Sequence, residues 1–421
     1  MKLRLKNTIY IGFAFLSIMV LWQAYNWLVP LYLNDFLNDL FDGNEFLIGL
    51  VMGLDNLFAL FMIPIVSKAS DRHKKQTGSR MKLIVLGVML AGCAFLFLPL
   101  AKNNGFFMAL VLFLILLAMN VYRSPAVSLM PDVTPKPLHG KANAVINVMG
   151  GIGTGIGYTL LLVGGIFGVK DCFVVCGVVV VMFGCLVVLM YKVDEKKFAT
   201  QMQNDVLFYK KQGIYPQQDE ENMLFAQDKN KNGKTRLWFV LVATFLFYMA
   251  TNSVETFMSL YSTQVLKNAN AGLLLFGCLA VGSFVCLYPS AVFAQKTGYK
   301  NAMFVGCCTM AICNLAISFF DGFSFWLVPL FVGAGCGMAF VVANVYPLVV
   351  SFCDKDHFAK YTGYYYTATM TAQTATPVVA GLLTSNWLFG SMKVLMPYSA
   401  TFLTLSALVL FFMPSNGKKQ P

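Results

Sequence analysis

The sequence predicts an all-α membrane protein whose twelve spanning helices form two six-helix bundles, and three observations carry that expectation. The chain has a mean hydropathy of +0.67, with 58% hydrophobic and only 12% charged residues, whereas a soluble domain has about 25% charged residues. Apolar stretches of about 20 residues, long enough to cross roughly 30 Å of hydrocarbon, recur between short polar connections. One long polar segment, 192–236, divides those stretches six and six. Runs of this length read as helices, because a backbone in lipid must satisfy its own polar groups and the alternation of a membrane barrel is absent.

In chain order the spans are expected at 9–33, 46–66, 81–101, 106–130, 142–166 and 171–191, then at 237–262, 271–293, 301–320, 323–350, 361–385 and 392–413. The domain reading is a first bundle over 1–191, a linker over 192–236 and a second bundle over 237–421. Lys and Arg set the orientation. With the N-terminus inside, the inner segments hold 26 of the 31 basic residues, while the outer loops have only Lys102, Lys170, Lys267 and Lys393. Both termini and the linker are therefore expected in the cytoplasm, in a cell (inner or plasma) membrane. The linker reads as a spacer dispensable for forming either bundle. The +12 net charge follows from this topology, so no nucleic-acid partner is expected.

Residues 1–6 lead straight into a span too long for a signal-peptide core, so no separate signal peptide is expected. The eleven cysteines lie within or at the ends of apolar stretches as small hydrophobes, giving neither a disulfide framework nor a metal site. Asp228 to Gly233 matches the opening of a calcium-binding loop, but its twelfth position is Phe239 where a bidentate Glu is required. No nucleophile, base and orienting group combine, so neither an enzyme nor a bound cofactor is expected. The expected partners are the lipid bilayer and a small-molecule substrate, with the protein a monomer.

Span 1 carries Gln23-Ala-Tyr25-Asn26-Trp27-Leu-Val-Pro30-Leu-Tyr32, and span 2 has Asp55 near its middle. Pro64 is expected to end span 2, as Pro289 ends span 8. The loop after span 2 reads Ser67-Lys-Ala-Ser-Asp71-Arg72-His-Lys-Lys-Gln-Thr-Gly78-Ser-Arg80, in which a short Asp among clustered Arg can make bidentate charged bonds. Span 4 ends in Asn120-Val-Tyr-Arg123-Ser-Pro125, followed by Asp132. Span 5 places Asn143, Asn147, Gly151 and Thr154 on one stripe. Its run Gly150 to Gly157 lies in a membrane helix without a GxGxxG register, so it is expected to pack helices through Gly151 and Gly155 or through Gly153 and Gly157. Span 7 sets Asn252 and Glu255 one turn apart, span 10 holds Asn344, and span 11 opens on Tyr364-Tyr365-Tyr366. Such polar stripes face a bundle interior, where they bind solute or bond neighbouring helices.

The halves repeat at an offset near 225 residues, the mark of a transporter made from parallel repeats. Asn120-Val121-Tyr122 recurs as Asn344-Val345-Tyr346, with Asp132 and Asp354 following at similar distances. Aligning Leu31-Tyr32 with Leu260-Tyr261 places Asn26 opposite Glu255 and Gln23 opposite Asn252.

The loop after span 2 resembles the signature loop of the major facilitator superfamily, in which Asp-Arg and Gly-Arg pairs latch the inner helix ends. The resemblance implies a major facilitator fold with a latch at Asp71, Arg72 and Arg80. Spans 1 and 4 are similar to the glycoside-pentoside-hexuronide cation symporters, and to bacterial relatives of the sucrose carriers, most strongly over 10–157. The chain departs from the plant sucrose carriers in two places. Their span 4 arginine falls at Val127 here, one turn beyond Arg123, and their acid falls at Leu116.

The residues imply a secondary carrier of a small polar solute coupled to a proton or sodium ion, and the resemblance implies that the solute is a disaccharide of the sucrose or maltose type. Gln23, Asn26, Asn120, Arg123, Asn147, Asn252, Asn344 and Tyr365 are expected to bind substrate. Glu255 and Asp55 are expected to couple the ion. The alternatives are a carrier of a drug, nucleoside or organic anion on the same fold, and a membrane sensor that transports nothing.

Overall fold

The structure is a computed structural model, and it describes residues 2–38, 45–135, 138–212, 233–352 and 358–414. Among the described residues regular structure is entirely helical. The first six α-helices are α1 (Leu5–Asn38), α2 (Glu45–Thr77), α3 (Met81–Leu96), α4 (Gly105–Val133), α5 (His139–Ile166) and α6 (Asp171–Lys192). A polar helix, α7 (Glu195–Lys211), follows. The last six are α8 (Gly233–Gln264), α9 (Ala269–Thr297), α10 (Tyr299–Ile317), α11 (Leu327–Val350), α12 (Phe358–Thr384) and α13 (Leu395–Phe412). Each expected span has its helix.

Ten of these helices are long and apolar enough to cross a membrane. The apolar α3 has only 16 residues and continues into a 3-10 turn, Leu98–Asn103. α12, rich in Thr and Tyr, is not among the ten. Pro64 and Pro289 lie inside α2 and α9 and do not end them. Neighbouring helices and local adjustment compensate the lost bond in a membrane helix, so the sequence rule that Pro stops a helix overreaches here.

The chain divides into two compact units, one of residues 1–42 and 55–217, the other of 43–54 and 218–421. In the first unit α1 packs on α5 through glycine. A Cβ on Gly153 would sit 2.5 Å from the Leu16 carbonyl oxygen and one on Gly157 3.2 Å from that of Val20, whereas Gly151 and Gly155 have nothing within 4 Å. The Gly153 and Gly157 register is therefore the packing face. Tyr25, Tyr32, Ile84, Phe95 and Tyr122 are buried in this unit.

In the second unit α9 and α11 approach through Gly282 and Gly335, where an added Cβ would strike the Val332 and Leu279 carbonyls. Its core joins Val240, Phe247, Met303, Met310, Val341, Leu403 and Leu410. Lipid offers no hydrophobic drive between helices, so close approach and short polar bonds hold them. Ser406 Oγ donates to the Ala243 carbonyl at 2.8 Å, and Asn314 Nδ2 to Ser399 Oγ at 2.9 Å.

α7 is bonded into the first unit. Arg4 forks the Asp205 carboxylate through Nε at 2.6 Å and Nη2 at 2.8 Å, and Asn7 Nδ2 donates to Gln201 Oε1 at 3.0 Å. Part of the segment that reads as a spacer is thus built into this unit. The calcium-loop-like stretch at 228–233 falls almost wholly outside the described residues, as does Asp354.

Candidate functional site

The densest charged cluster among the described residues of the first unit lies where α2, α3 and α4 meet at one end. Gly78 turns the chain between α2 and α3 with φ 77°, a left-handed conformation in which glycine avoids strain. Arg80 follows, its side chain only 6% exposed. Its Nε reaches Asp132 Oδ2 at 2.6 Å, Nη2 reaches Asp71 Oδ1 at 2.6 Å, and Nη1 donates to Ser70 Oγ at 2.7 Å. Lys74 Nζ holds the other Asp132 oxygen at 2.6 Å. Burial pulls the Arg80 guanidinium down, but bonds to Asp132 and Asp71 outweigh it and shift its pKa upward, so the cation persists. Asp71 and Arg80 thus meet. Arg72 is exposed and makes no ion pair among the described residues, while Lys74 and Asp132 complete the network instead.

The second unit has a reduced copy. Thr77-Gly78-Ser79-Arg80 recurs as Thr297-Gly298-Tyr299-Lys300, and Gly298 also has positive φ, 92°. Lys300 Nζ donates to the Met413 carbonyl at 2.7 Å. The paired Thr-Gly-x-cation motif was available in the sequence as a further repeat signal. The far end of each unit carries another charged clasp. Tyr32 Oη donates to Asp171 Oδ2 at 2.9 Å, with Lys102 Nζ 3.3 Å from Asp35 and 3.8 Å from Asp171, while Lys393 pairs with Asp321 at 2.6 Å.

Within the spans of the first unit, Arg123 is half-buried on α4 and its guanidinium lies 5.1 Å from the Trp22 ring centroid on α1. Val127, one turn on, is 48% exposed. Gln23 is buried, its Oε1 without a hydrogen-bond partner and its Cβ close to Gly157 on α5. Asn26 is half-buried, and Asn147 is exposed on the α5 face opposite buried Ile146 and Met149. Asp55 is only 4% exposed and lies within electrostatic reach of the Tyr25 hydroxyl, which has no hydrogen-bond partner.

Asn120 and Asn344 behave as a repeated pair. Both are buried, and each donates its amide to the carbonyl four residues back, Leu116 at 2.9 Å and Phe340 at 2.8 Å. Asn120 Oδ1 stays unpartnered. In the second unit Asn252 Nδ2 donates to the Gln373 carbonyl of α12 at 3.0 Å. Tyr365 joins an aromatic group, its hydroxyl 3.3 Å from that of Tyr248 and its ring centroid 5.4 Å from Tyr346 and 5.3 Å from Tyr366. Glu255, two turns from Tyr248, lies within its electrostatic reach. Sequence reading found Tyr365 but missed Tyr248 and Tyr346, which only packing brings together. No group of three or more His, Cys, Asp and Glu able to hold a metal occurs among the described residues.

The sequence matches the family model described as Major Facilitator Superfamily over residues 11–377 and 240–420. No curated protein sequence matches it. Among solved structures, the fold is similar to the nucleoside transporter NupG at 14% identity and TM-score 0.69, covering 97% of this chain and 100% of that one. It is also similar to the POT family transporter PepTSo, at 12% identity and TM-score 0.69 over 98% of each chain. The human organic anion transporter MFSD10 aligns at 13% identity and TM-score 0.63, over 97% of this chain and 100% of that one. At these identities the likeness is one of fold.

Proposed function

The chain belongs to the major facilitator superfamily, and on that premise we propose that it is a secondary active carrier of a disaccharide of the sucrose or maltose type, driven by a proton or sodium ion through alternating access. The family makes it a multi-pass membrane protein of a transporter class with a small-molecule substrate. The sugar, the coupling and the binding residues are our reading, as is a monomer in the cell membrane with both termini cytoplasmic.

One observation carries the substrate reading, the half-buried Arg123 whose guanidinium lies over the Trp22 ring. A guanidinium presents five N–H donors in one plane and no acceptor. The indole face interacts with the charge but leaves the planar edge for hydrogen bonds. Among the described residues no carboxylate pairs with Arg123. Sugar hydroxyls supply the matching acceptors, and Gln23, Asn26, Asn120, Asn147, Asn252 and Asn344 supply further polar groups on the spans. An acid inside a span costs about 2.5–3.5 kcal/mol on insertion scales and favours its protonated form there, so it can carry a proton. Glu255 beside Tyr248 is the proposed coupling residue, with Asp55 assisting.

A second reading, a carrier of nucleosides or organic anions, is favoured by the group of Tyr248, Tyr346, Tyr365 and Tyr366, whose rings suit a flat base as well as a pyranose. Uptake of labelled sucrose into liposomes holding the purified protein, with sugars, nucleosides and organic anions as competitors, separates the two. Competition by disaccharides alone is expected. Competition by nucleosides or anions alone would move the assignment to the second reading, and binding without uptake would mark a sensor.

A further inference from the structure

Helix α3 begins with one short side-chain acceptor, Ser79 Oγ, which takes the Met81 N–H at 3.0 Å. Arg80 stands at its N-cap and makes no side-chain bond to the first turn, so the leading backbone N–H groups need another acceptor. They find it in Glu195, the first residue of α7. Ser79 Oγ donates to Glu195 Oε1 at 2.6 Å, the Arg80 N–H reaches both carboxylate oxygens at 2.9 and 3.0 Å, and the Met81 N–H donates to Oε1 at 3.0 Å. Glu195 is only 7% exposed. A carboxylate there also meets the positive end of the helix dipole. One carboxylate therefore fixes the Arg80 backbone while Asp132 and Asp71 hold its side chain. At the other end of α7, Asp205 and Gln201 are tied to Arg4 and Asn7.

We infer that α7 is a working part of the latch, with Glu195 the residue that positions Arg80 for Asp132 and Asp71. The inference rests on reading Arg80 as a latch. Without the carboxylate, the Arg80 N–H loses its acceptor and the Met81 N–H keeps only Ser79 Oγ at 3.0 Å, the first turn of α3 loosens, and the guanidinium loses the backbone geometry that aims it at α4. Whatever moves α7 thereby reaches the charged contact between α3 and α4. Glu195 is a positioning residue, since it acts through Arg80.

The test uses the full chain in lipid nanodiscs and amide hydrogen exchange. Glu195→Ala is expected to speed exchange about tenfold over residues 79–83, as loss of a charged acceptor implies, and to speed it at 128–133 on α4 as well. Glu195→Gln, which keeps one acceptor oxygen, should fall between, and it alone serves the comparison if the Ala variant does not fold. The decisive readout is a cycle with Arg80→Ala, where a Glu195 substitution should add nothing further at 128–133. Faster exchange confined to 79–83, or an effect on α4 that persists without Arg80, would overturn the positioning role. Unchanged exchange at 79–83 would remove the cap itself. No solute is needed, so failure of the carrier reading and failure of this inference are told apart.

Discussion

Replacing Gly153 with Ala tests how the first unit is held together. Its Cβ would stand 2.5 Å from the Leu16 carbonyl oxygen, 3.0 Å from its Cα and 3.1 Å from its carbonyl carbon. All three are backbone atoms, so no side chain can swing away and α1 and α5 must separate. A gap of about 0.5–1 Å forfeits about a quarter to a half of the dispersion well along that seam. Overpacking of this kind costs about 1–3 kcal/mol. Gly151 lies on the same helix with nothing within 4 Å, and Ala there should gain up to about 1 kcal/mol of helix propensity. Both variants carry that propensity gain, so they should differ by about 1–3 kcal/mol, the overpacking cost alone. The assay is thermal unfolding of the detergent-solubilised protein, followed by fluorescence-detected gel filtration. In a unit of this size each kcal/mol moves the midpoint by about 2–4 °C, so Gly153→Ala should melt below the parent and Gly151→Ala at or above it. Equal midpoints, or a lower one for Gly151→Ala, would refute the packing register.

Asp132→Asn should accelerate amide exchange at the ends of α2 and α4 by tens of fold, since its carboxylate is 19% exposed and holds both Arg80 and Lys74 and a charged bond contributes about 1.5–3 kcal/mol. Asp71→Asn, on a 58% exposed side chain, should change it only a few fold, as surface pairs contribute about 0–1 kcal/mol; equal effects would contradict this ranking. Arg123→Lys should lower kcat/KM for uptake about tenfold or more, because Lys keeps the charge and loses the planar fork. Parent-like uptake by that variant would end the recognition role. Protease added outside right-side-out vesicles should leave residues 192–236 uncut, and cleavage there would reverse the topology.

What was legible in the sequence follows from how far each signal acts. Hydropathy is a property of each segment alone, so the twelve helices stand close to their expected places, and Asn120 and Asn344 repeat down to their shared bond to the carbonyl four residues back. Proline punctuation failed at Pro64 and Pro289 because the rule comes from helices in water. The glycine run left two registers open, since both are small-xxx-small patterns and only the facing α1 backbone selects Gly153 and Gly157. In the charged cluster around Arg80, the loop motif pointed to Asp71, Arg72 and Arg80, whereas Lys74, though in the same loop, takes part only through Asp132 on α4, and Glu195 enters from α7, contacts that no local spacing encodes. Glu195 sits more than 110 residues from the turn it caps. Tyr248 and Tyr346 join Tyr365 in the same way.

Coupled transport tests the proposed carrier most directly. The measurement is accumulation of labelled sucrose by the purified protein in liposomes under an imposed pH gradient, alongside exchange of labelled for unlabelled sugar with no gradient. The parent should accumulate sugar above equilibrium and lose it when a protonophore collapses the gradient. Glu255→Gln should keep exchange and lose accumulation, because an amide cannot take up and release the proton. A Glu255→Gln protein that still accumulates sugar uphill with an unchanged pH dependence, or a parent that exchanges sugar but never concentrates it under a proton or sodium gradient, would contradict the account.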